Sequence, residues 1–557
     1  MGGDDENVGA VAGDPIDLGH GAHGVFEMLD DVRHVDAVER VVFEGPGIAF
    51  QVPDVVGGGI GGGVDADGAG FDFALAAADI EDHGSVVPVI TGEGVWEARG
   101  LLRGSRLSQW GLGVLLAVCV FRLWVMPLGS SLWTDETATA FVVRHGEHDP
   151  SLAVAPQVPA SVYYVLPRVS TRIFGGGEWA YRLPSVLTLG MAVLLVGLLA
   201  QRLVHRDAGW FAVFACLALK GFNYEAADAR PYALGTAVAC AGLWFLVRWF
   251  DEGRWWDAAL FVAAAAELWR VHLLYWPFYV VFAIYAAARG WRRAVPLFAA
   301  VAVLLIPVAG EAWELRRGAG FHVMTALPGW RALLDSLKPG VVAVPAAIAV
   351  FWRRRKLERS CAALILAWWL TVPLALFAFS HLTGTGVFLE RYLSLALPGA
   401  ALAAAAATAM WLPARCWRAA AAVLGIGSLL VLGRWSVAWP PHHPSEWRGA
   451  AAAVNAAADA GTPVLCPSPF LEARAPAWFP GYPTDSFLYA NLAAYPVRGA
   501  VVTLPFDVEP AAIPAGRFVL YGGGRKAAEW VAWIEAHSGR RARELGSFGD
   551  VVAVVFK

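Results

Sequence analysis

Three short stretches of the sequence place acids, basic residues and tyrosines directly beside long apolar runs. A carboxylate in such a place can act as a base toward a hydroxyl group, and the planar guanidinium fork of arginine matches the oxygens of a phosphate. A single arginine beside an apolar run is often only an anchor that reaches water, but recurring acids and arginines favour a shared polar site. The stretches contain Asp135 and Glu136, then Lys220, Asp228, Arg230 and Tyr232, and finally Glu390, Arg391 and Tyr392.

Membrane helices must position these stretches, because the chain is too apolar for a protein whose whole surface faces water. Of its 557 residues, 57% are hydrophobic and 16% are charged. Soluble domains usually contain about 25% charged residues. The net charge is only -4, and the acids concentrate near the start of the chain, so we expect no nucleic-acid partner. The six cysteines have neither a disulfide pattern nor metal-ligand spacing.

Residues 1–98 are acidic and rich in glycine, with the run GGGIGGG at Gly57–Gly63. They show no sustained apolar periodicity of either 3.6 or 2 residues, and they lack the cationic start and apolar segment of a signal peptide. We expect this segment to be disordered, or to be translated from a start codon placed too far upstream. A cytoplasmic acidic regulatory tail is the alternative.

Residues 99–434 are predicted to form the transmembrane domain, with about eleven runs long enough to serve as membrane helices. Basic residues fall in alternate loops, which predicts a cytoplasmic N-terminus in the plasma membrane. The predicted spans are Trp110–Leu128, Trp179–Leu203, Ala208–Phe222, Tyr232–Trp249, Trp256–Trp269, Leu273–Ala288, Ala294–Ala309, Val341–Trp352, Cys361–Phe379, Tyr392–Leu412 and Ala419–Val431.

The first outer loop then covers residues 129–178, and its part from Val158 to Phe174 is predicted to be an interfacial helix on the outer leaflet. Residues 435–557 have mixed polar sequence and predict a small extracytoplasmic α/β domain. The predicted fold is thus an all-α polytopic membrane protein with one small C-terminal α/β domain. The strand candidates are Pro463–Cys466, Ala500–Leu504, Phe518–Tyr521 and Val551–Phe556, with a helix over Lys526–Ala536.

Five motifs resemble, in order, those of the polytopic glycosyltransferases of the GT-C fold. The similar branch contains bacterial protein O-mannosyltransferases and lipid A aminoarabinose transferases. The resemblance covers about Leu107–Trp447 of the chain. Its motifs are Trp133–Glu136, Pro159–Tyr164, Trp179–Pro184, Asp228–Ala233 and Glu390–Leu393.

The resemblance implies an inverting transfer of a sugar from a polyprenyl phosphate to an acceptor outside the cytoplasm. One carboxylate is sufficient as the base in a single displacement, and Asp135 is the candidate. Glu136 is expected to orient Asp135 or to bind a sugar hydroxyl. The leaving lipid phosphate needs cations, and that role is assigned to Arg230, Arg391 and Lys220.

Substrate contacts are expected from six further residues, and we expect neither a cofactor nor a required divalent metal. A transporter or flippase of lipid-linked sugars is the alternative, although such proteins usually show internal repeats or charges near the membrane midplane. A non-catalytic scaffold that acts through the outer domain is a third hypothesis. The expected substrate contacts are Tyr163, Tyr164, Asp228, Tyr232, Glu390 and Tyr392.

Overall fold

The computed structural model describes residues 106–146, 148–149, 151–152, 161–322, 325–352, 356–433, 439–474, 485–505 and 513–557. The segment 1–98 and the beginning of the Pro159–Tyr164 motif therefore lie outside the described residues. The helices are α1 Arg106–Val120, α2 Thr134–His145, α3 Val165–Phe174, α4 Glu178–Leu203, α5 Gly209–Leu217, α6 Lys220–Tyr224, α7 Tyr232–Glu252, α8 Trp255–Val271, α9 Phe278–Leu304, α10 Ile306–His322, α11 Trp330–Ser336, α12 Pro339–Trp352, α13 Arg359–Thr383, α14 Leu397–Ala409, α15 Trp417–Leu432, α16 Trp447–Ala457, α17 Ala490–Ala494 and α18 Gly524–Ser538.

Among the described residues, 7 helical segments are long and apolar enough to cross a membrane, or up to 8 if the bent pair α11 and α12 is one span. Fewer spans than the predicted eleven meet this test, for two reasons. The helix α5 has only 9 residues and α8 has 17. The sixth and seventh predicted spans lie in the single element α9, which is interrupted at Gly290 with φ of 128°. The helical, polytopic architecture is present, and the count of eleven stays a prediction.

Ion pairs join several basic loops at one end of the helices. Arg202 at the end of α4 donates to Asp251 and Glu252 at the end of α7, both at 2.8 Å. Arg289 in α9 donates to Asp251 and also to Glu358, which lies just before α13. These are loops that the distribution of basic residues assigns to the cytoplasmic side. The structure therefore brings them to one end, as a common side requires.

A five-stranded mixed sheet lies in the C-terminal part of the chain, in the order β2-β1-β3-β5-β4. The strand β1 pairs in parallel with β2 and β3, whereas β5 pairs antiparallel with β3 and β4. Four strands occupy the predicted apolar runs, and α18 covers the predicted helix. The short β4 was not predicted. The strands are β1 Pro463–Pro467, β2 Ala500–Leu504, β3 Phe518–Gly523, β4 Ala542–Glu544 and β5 Val551–Phe556.

The loop after the first span, predicted to lie outside, and the C-terminal part of the chain share one hydrophobic core. Phe141 and Val142 of α2 are buried in the same cluster as Trp447 and Val454 of α16. The backbone N–H of Leu132 also donates to the hydroxyl of Tyr495, at 2.7 Å. Helix α2, which carries the acidic pair, is therefore anchored to the C-terminal part of the chain both by its buried side chains and by the residues just before it.

Helix α3 shows the pattern expected of a helix that lies in a membrane interface. Val165, Val169 and Ile173 recur every four residues and are exposed, whereas Pro167 and Ser170 are buried. Residues four apart lie on one face of a helix, so these side chains form an apolar stripe that faces away from the protein. The structure thus favours the predicted interfacial helix over a further span.

Candidate active site

Glu136 fixes the start of helix α2. Its carboxylate accepts the backbone N–H of Trp133 at 3.1 Å, which satisfies one of the free donors at the helix N-terminus. It also accepts the backbone N–H of Ala229, at 2.7 Å, and so ties α2 to the loop before α7. Arg182 of α4 donates to both of its oxygens, through Nε at 2.7 Å and through Nη2.

The Glu136–Arg182 pair is completely buried, with both side chains 0% exposed. Arg182 also donates to the backbone oxygens of Leu128, Ser130 and Ser131, at 3.1, 2.7 and 2.9 Å. It therefore holds the chain between the first span and α2. The structure leaves no oxygen of Glu136 facing outward, which does not support the expected contact with a sugar hydroxyl. Its burial against Arg182 fits the other expectation, that Glu136 orients Asp135, which stays a prediction.

Asp135 lies one residue earlier in the first turn of α2, and its side chain is 23% exposed. Arg391 Nη1 donates to its Oδ2 at 2.6 Å, and Arg230 Nη1 donates to its backbone oxygen at 3.1 Å. The structure therefore unites three of the predicted residues from segments that are up to 256 residues apart. A partly exposed carboxylate thus pairs with one guanidinium group, and a second guanidinium group lies against the backbone of the same residue.

Both arginines have further donors to offer. The Nε atoms of Arg230 and Arg391 are buried and have no hydrogen-bond partner among the described residues. An unpaired buried donor is unfavourable, so an anion placed beside these two groups would be bound well. The guanidinium of Arg391 also lies over the rings of Trp133 and Tyr392, at 5.9 and 5.5 Å from their centroids.

Asp228 is buried close to the acidic pair. Its Oδ1 accepts the indole N–H of Trp133 at 3.0 Å and lies 3.6 Å from Nε2 of His442. Burial raises the pKa of Asp228 to about 6, although the hydrogen bond from Trp133 and the charge of Arg230 act in the opposite direction. Burial likewise lowers the pKa of His442 to about 3, so that this ring is neutral. Burial thus favours the protonated form of Asp228 and the neutral form of His442.

The predicted tyrosines surround the arginines. Tyr164 is buried and contacts the Arg230 guanidinium, while the buried hydroxyl of Tyr163 has no partner among the described residues. The rings of Tyr232 and Tyr392 lie 6.2 Å apart, and His272 lies 5.1 Å from Tyr392. These rings form an aromatic wall beside Arg391.

Glu390 is the most exposed of the predicted substrate contacts, at 39%. It accepts a hydrogen bond from Lys338 at 2.8 Å. A Cβ atom added to Gly221 would lie only 3.3 Å from Oε1 of Glu390, so the start of α6, with Lys220, lies against this carboxylate. The proposed phosphate contact of Lys220 stays a prediction.

Five residues of the site were absent from the sequence-based set: Trp133, Arg182, Glu225, Lys338 and His442. Trp133 and Arg182 belong to motifs of the resemblance, which was a usable signal. Glu225 lies in the same loop as Asp228, and burial raises the pKa of its carboxyl well above the ordinary value. His442 is followed by His443, which stacks on Trp133 with ring centroids 5.0 Å apart. Nothing in the local sequence joins Lys338 or His442 to residues so distant along the chain.

Glu136, Asp228 and His442 bring one ligand atom each to within 4.8 Å of one another, which is the spacing of a metal site. Each oxygen of Glu136, however, already accepts one hydrogen bond from Arg182 and one from a backbone N–H. A metal ion would have to displace the buried Arg182, which has 0% exposure. The donor set therefore does not favour a resident cation, and independence from metal stays a prediction.

Comparisons with known proteins fit this architecture. Residues 158–313 match the family model described as dolichyl-phosphate-mannose-protein mannosyltransferase. A curated relative from Pseudomonas fluorescens, undecaprenyl phosphate-alpha-4-amino-4-deoxy-L-arabinose arabinosyl transferase 1, is 26% identical over 335 residues. That alignment covers 52% of this chain and 59% of the relative, so the chain spans less than two thirds of the relative's length.

Two solved structures of ArnT from Cupriavidus metallidurans share the fold. The structure bound to undecaprenyl phosphate has a TM-score of 0.52 at 14% identity and covers 80% of this chain and 98% of ArnT. The apo structure has a TM-score of 0.50 at 15% identity and covers 81% and 98%. Together with the family match, these structures confirm the resemblance to the GT-C membrane glycosyltransferases, whose fold this chain has.

Proposed function

We propose that this protein is an inverting membrane glycosyltransferase that moves a sugar from a polyprenyl phosphate to an acceptor outside the cytoplasm. The observation that carries the proposal is the convergence on Asp135, whose partly exposed carboxylate lies 2.6 Å from Arg391 Nη1. The family match and the relative named for an undecaprenyl-phosphate sugar support this class of donor.

The reaction needs one bond to form and one to break. The acceptor hydroxyl oxygen attacks the anomeric carbon, and the bond from that carbon to the phosphate oxygen breaks, with its electron pair leaving on the phosphate. Asp135 takes the proton of the hydroxyl group, while Arg230 and Arg391 stabilise the anion that departs. A single displacement of this kind inverts the anomeric configuration.

The pair with Arg391 also gives a reason for ordered binding. In the free enzyme the Arg391 guanidinium lies 2.6 Å from Oδ2 of Asp135 and so occupies one oxygen of this carboxylate. A donor phosphate would compete for Arg391 and so release part of this interaction. The Asp135 oxygen is therefore expected to become free for the acceptor hydroxyl only when the donor is bound.

Packing supports the proposal that Asp135 lies on the outer side of the membrane. Helix α2 with Asp135 shares a core with the C-terminal domain, so both lie on one side. The ion-paired basic loops of Arg202 and Arg289 lie at the other end of the helices, which supports a cytoplasmic assignment for that end. A lipid-linked sugar, unlike a nucleotide sugar, can be presented outside the cytoplasm.

Replacement of the base tests the proposal. We expect Asp135→Asn to lower transfer from labelled polyprenyl-phosphate sugars to extracted envelope acceptors by about 100-fold or more, with an unchanged melting temperature. The matched control is Asp207→Asn, which removes a carboxylate between α4 and α5 at 26% exposure, outside the candidate site. A fully active Asp135→Asn protein would refute the role of Asp135.

One observation favours the alternative of a flippase. The helices α11 and α12 form a span that is bent by 69°, and transporters often use broken helices of this kind. Proteoliposomes distinguish the two functions, because a flippase moves lipid-linked sugar between leaflets without any acceptor. Flipping that persists in the Asp135→Asn protein would favour the alternative.

A further inference from the structure

Lys338 lies at the break between α11 and α12, where the two helices meet at an angle of 69°. It is the only residue other than glycine with a positive φ among those that the structure describes, at 47°. Left-handed backbone is unfavourable for lysine, and such strain tends to persist where a function requires a particular side-chain direction.

Contacts on both sides fix the break. The backbone oxygen of Leu337 accepts the indole N–H of Trp369 at 2.8 Å. The backbone N–H of Lys338 donates to the backbone oxygen of Asp335 at 3.1 Å. The backbone oxygen of Lys338 accepts the N–H of Val341 at 3.1 Å. The position of Lys338 is therefore set by helix α13 and by its own turn.

The ammonium of Lys338 reaches the candidate active site. Its Nζ atom lies 2.8 Å from Oε1 of Glu390, and its side chain is only 10% exposed. Glu390 directly precedes Arg391, the partner of Asp135. A buried ionisable group within a broken membrane helix is a functional candidate because of its desolvation cost.

The proposed reaction would be favoured by one more cation, because the negative charge on the phosphate increases during transfer. In the donor the phosphate is a diester with a single negative charge, whereas after transfer it is a monoester with a second ionisable oxygen. The electron pair of the broken bond stays on that oxygen, so negative charge grows beside Arg230 and Arg391. An ammonium has three donors, and Glu390 takes one of those on Lys338.

We propose that Lys338 is a further phosphate-binding residue, which holds the phosphate of the donor and of the polyprenyl phosphate product. The inference rests on the proposed function. Lys338 delivers its charge from the helix break, and Glu390 keeps the ammonium in place until the phosphate arrives.

Binding of undecaprenyl phosphate to the full-length protein in nanodiscs tests the proposal. The sharpest variant is Lys338→Gly, because glycine accepts a φ of 47° without strain and should preserve the fold while removing the charge. We expect Lys338→Gly and Lys338→Met to weaken binding about tenfold or more, and Lys338→Arg to bind within about threefold of the wild type. The matched control is Lys526→Met, which breaks a lysine–glutamate pair of 3.0 Å in the C-terminal domain and should bind normally.

The outcomes separate the two proposals. If the wild-type protein does not bind undecaprenyl phosphate, the proposed function itself fails. If the wild type binds and Lys338→Gly binds equally well, only the role of Lys338 is overturned. A purely structural role would also be revealed if Lys338→Arg lost as much affinity as Lys338→Gly. In kinetics we expect the KM for the donor to rise while the KM for the acceptor stays unchanged.

Discussion

Asp135 and Glu136 are neighbours in the chain, yet the first turn of α2 sends their carboxylates into different surroundings. Consecutive helical residues point about 100° apart, so only one of the two side chains can face Arg230 and Arg391. Asp135 remains partly exposed beside Arg391, while Glu136 is buried against Arg182. These surroundings fit the proposal that Asp135 takes part in the chemistry and that Glu136 holds the site together.

This difference predicts opposite results for two similar substitutions. Arg182→Met leaves Glu136 buried without its partner, which should cost about 3–5 kcal/mol of stability and lower the melting temperature strongly. Asp135→Asn removes a partly exposed charge and should leave the melting temperature almost unchanged. Thermal unfolding in detergent, with size-exclusion profiles, measures both. An Arg182→Met protein as stable as the wild type would contradict the structural role.

Asp228 predicts a pH-dependent stability. Its pKa is about 6 in the folded protein, against about 3.9 in an unfolded chain. The folded state therefore binds this proton more tightly, so the stabilisation is complete below about pH 4 and is lost as the pH rises through about 6. Relative to Asp228→Asn, the wild type should lose stability between about pH 4 and about pH 6, the span between these two pKa values.

Melting temperatures of both proteins, measured at small pH steps, check this expectation. Other groups that titrate in the range are present in both proteins, so the difference between the two curves reports Asp228 together with any change at its neighbour His442. A difference that stays constant across the range would show that Asp228 titrates at its ordinary pKa.

Where a charge lies beside an apolar run, the sequence indicated which residues the fold brings together. Asp135, Arg230 and Arg391 were predictable in this way, because a charge at a membrane boundary is unfavourable unless it faces a cavity or a polar partner. Arg182 was not assigned a role, since its only signal is a position inside a motif. His442 was missed because its partner Asp228 is reached through the tertiary fold.

At the scale of elements, the position of the Glu390–Leu393 motif depends on how closely α14 approaches α13. A Cβ atom added to Gly399 would lie 2.6 Å from the backbone nitrogen of Trp369, a distance that real Cβ atoms do not reach. Glycine is therefore required in the first turn of α14, which directly follows the Glu390–Ala396 segment. Any bulk at this position must move α14 or the residues that carry Arg391.

Gly399→Ala should accordingly lower both the melting temperature and the transfer activity. Backbone atoms, rather than a flexible side chain, form the obstacle, so local relaxation cannot absorb the added methyl group. The matched control is Gly427→Ala in α15, where nothing lies within 4 Å of the added atom. Since alanine favours helices more than glycine does, the control should be neutral or slightly stabilising. Equal stability of the two variants would contradict the close approach.

Long apolar runs and strand patterns were predictable from local sequence, whereas interruptions were not. The strands β1, β2, β3 and β5 occupy predicted runs because their apolar residues are contiguous and bounded by turn residues. Two predicted spans lie mostly in the single element α9, which is interrupted at Gly290. The helix pair α11 and α12 is broken at Lys338. Hydropathy averages over about 20 residues and therefore does not detect a single unusual backbone angle.

At the scale of the whole molecule, the predicted boundary near residue 435 is a boundary of composition but not of packing. The core that contains Trp447 and Tyr521 also contains Phe141 and Val142 from the first outer loop. Composition changes where the chain leaves the membrane, whereas packing depends on which surfaces meet outside it. The C-terminal domain should therefore support the helix that presents Asp135.

Trp447→Ala tests this support at a distance from the chemistry. Trp447 is 0% exposed, and its removal should cost about 3–5 kcal/mol through the cavity that it leaves. Because α2 lies in the same core, we expect transfer activity to fall as well, although Trp447 is not one of the residues expected to contact the substrate. The matched control is Trp439→Ala, at 62% exposure, which should change neither property. If the melting temperature of Trp447→Ala falls while activity below that temperature stays at the wild-type level, the membrane helices hold α2 without help from the C-terminal domain. A joint loss would instead make this domain part of the machinery that places the base.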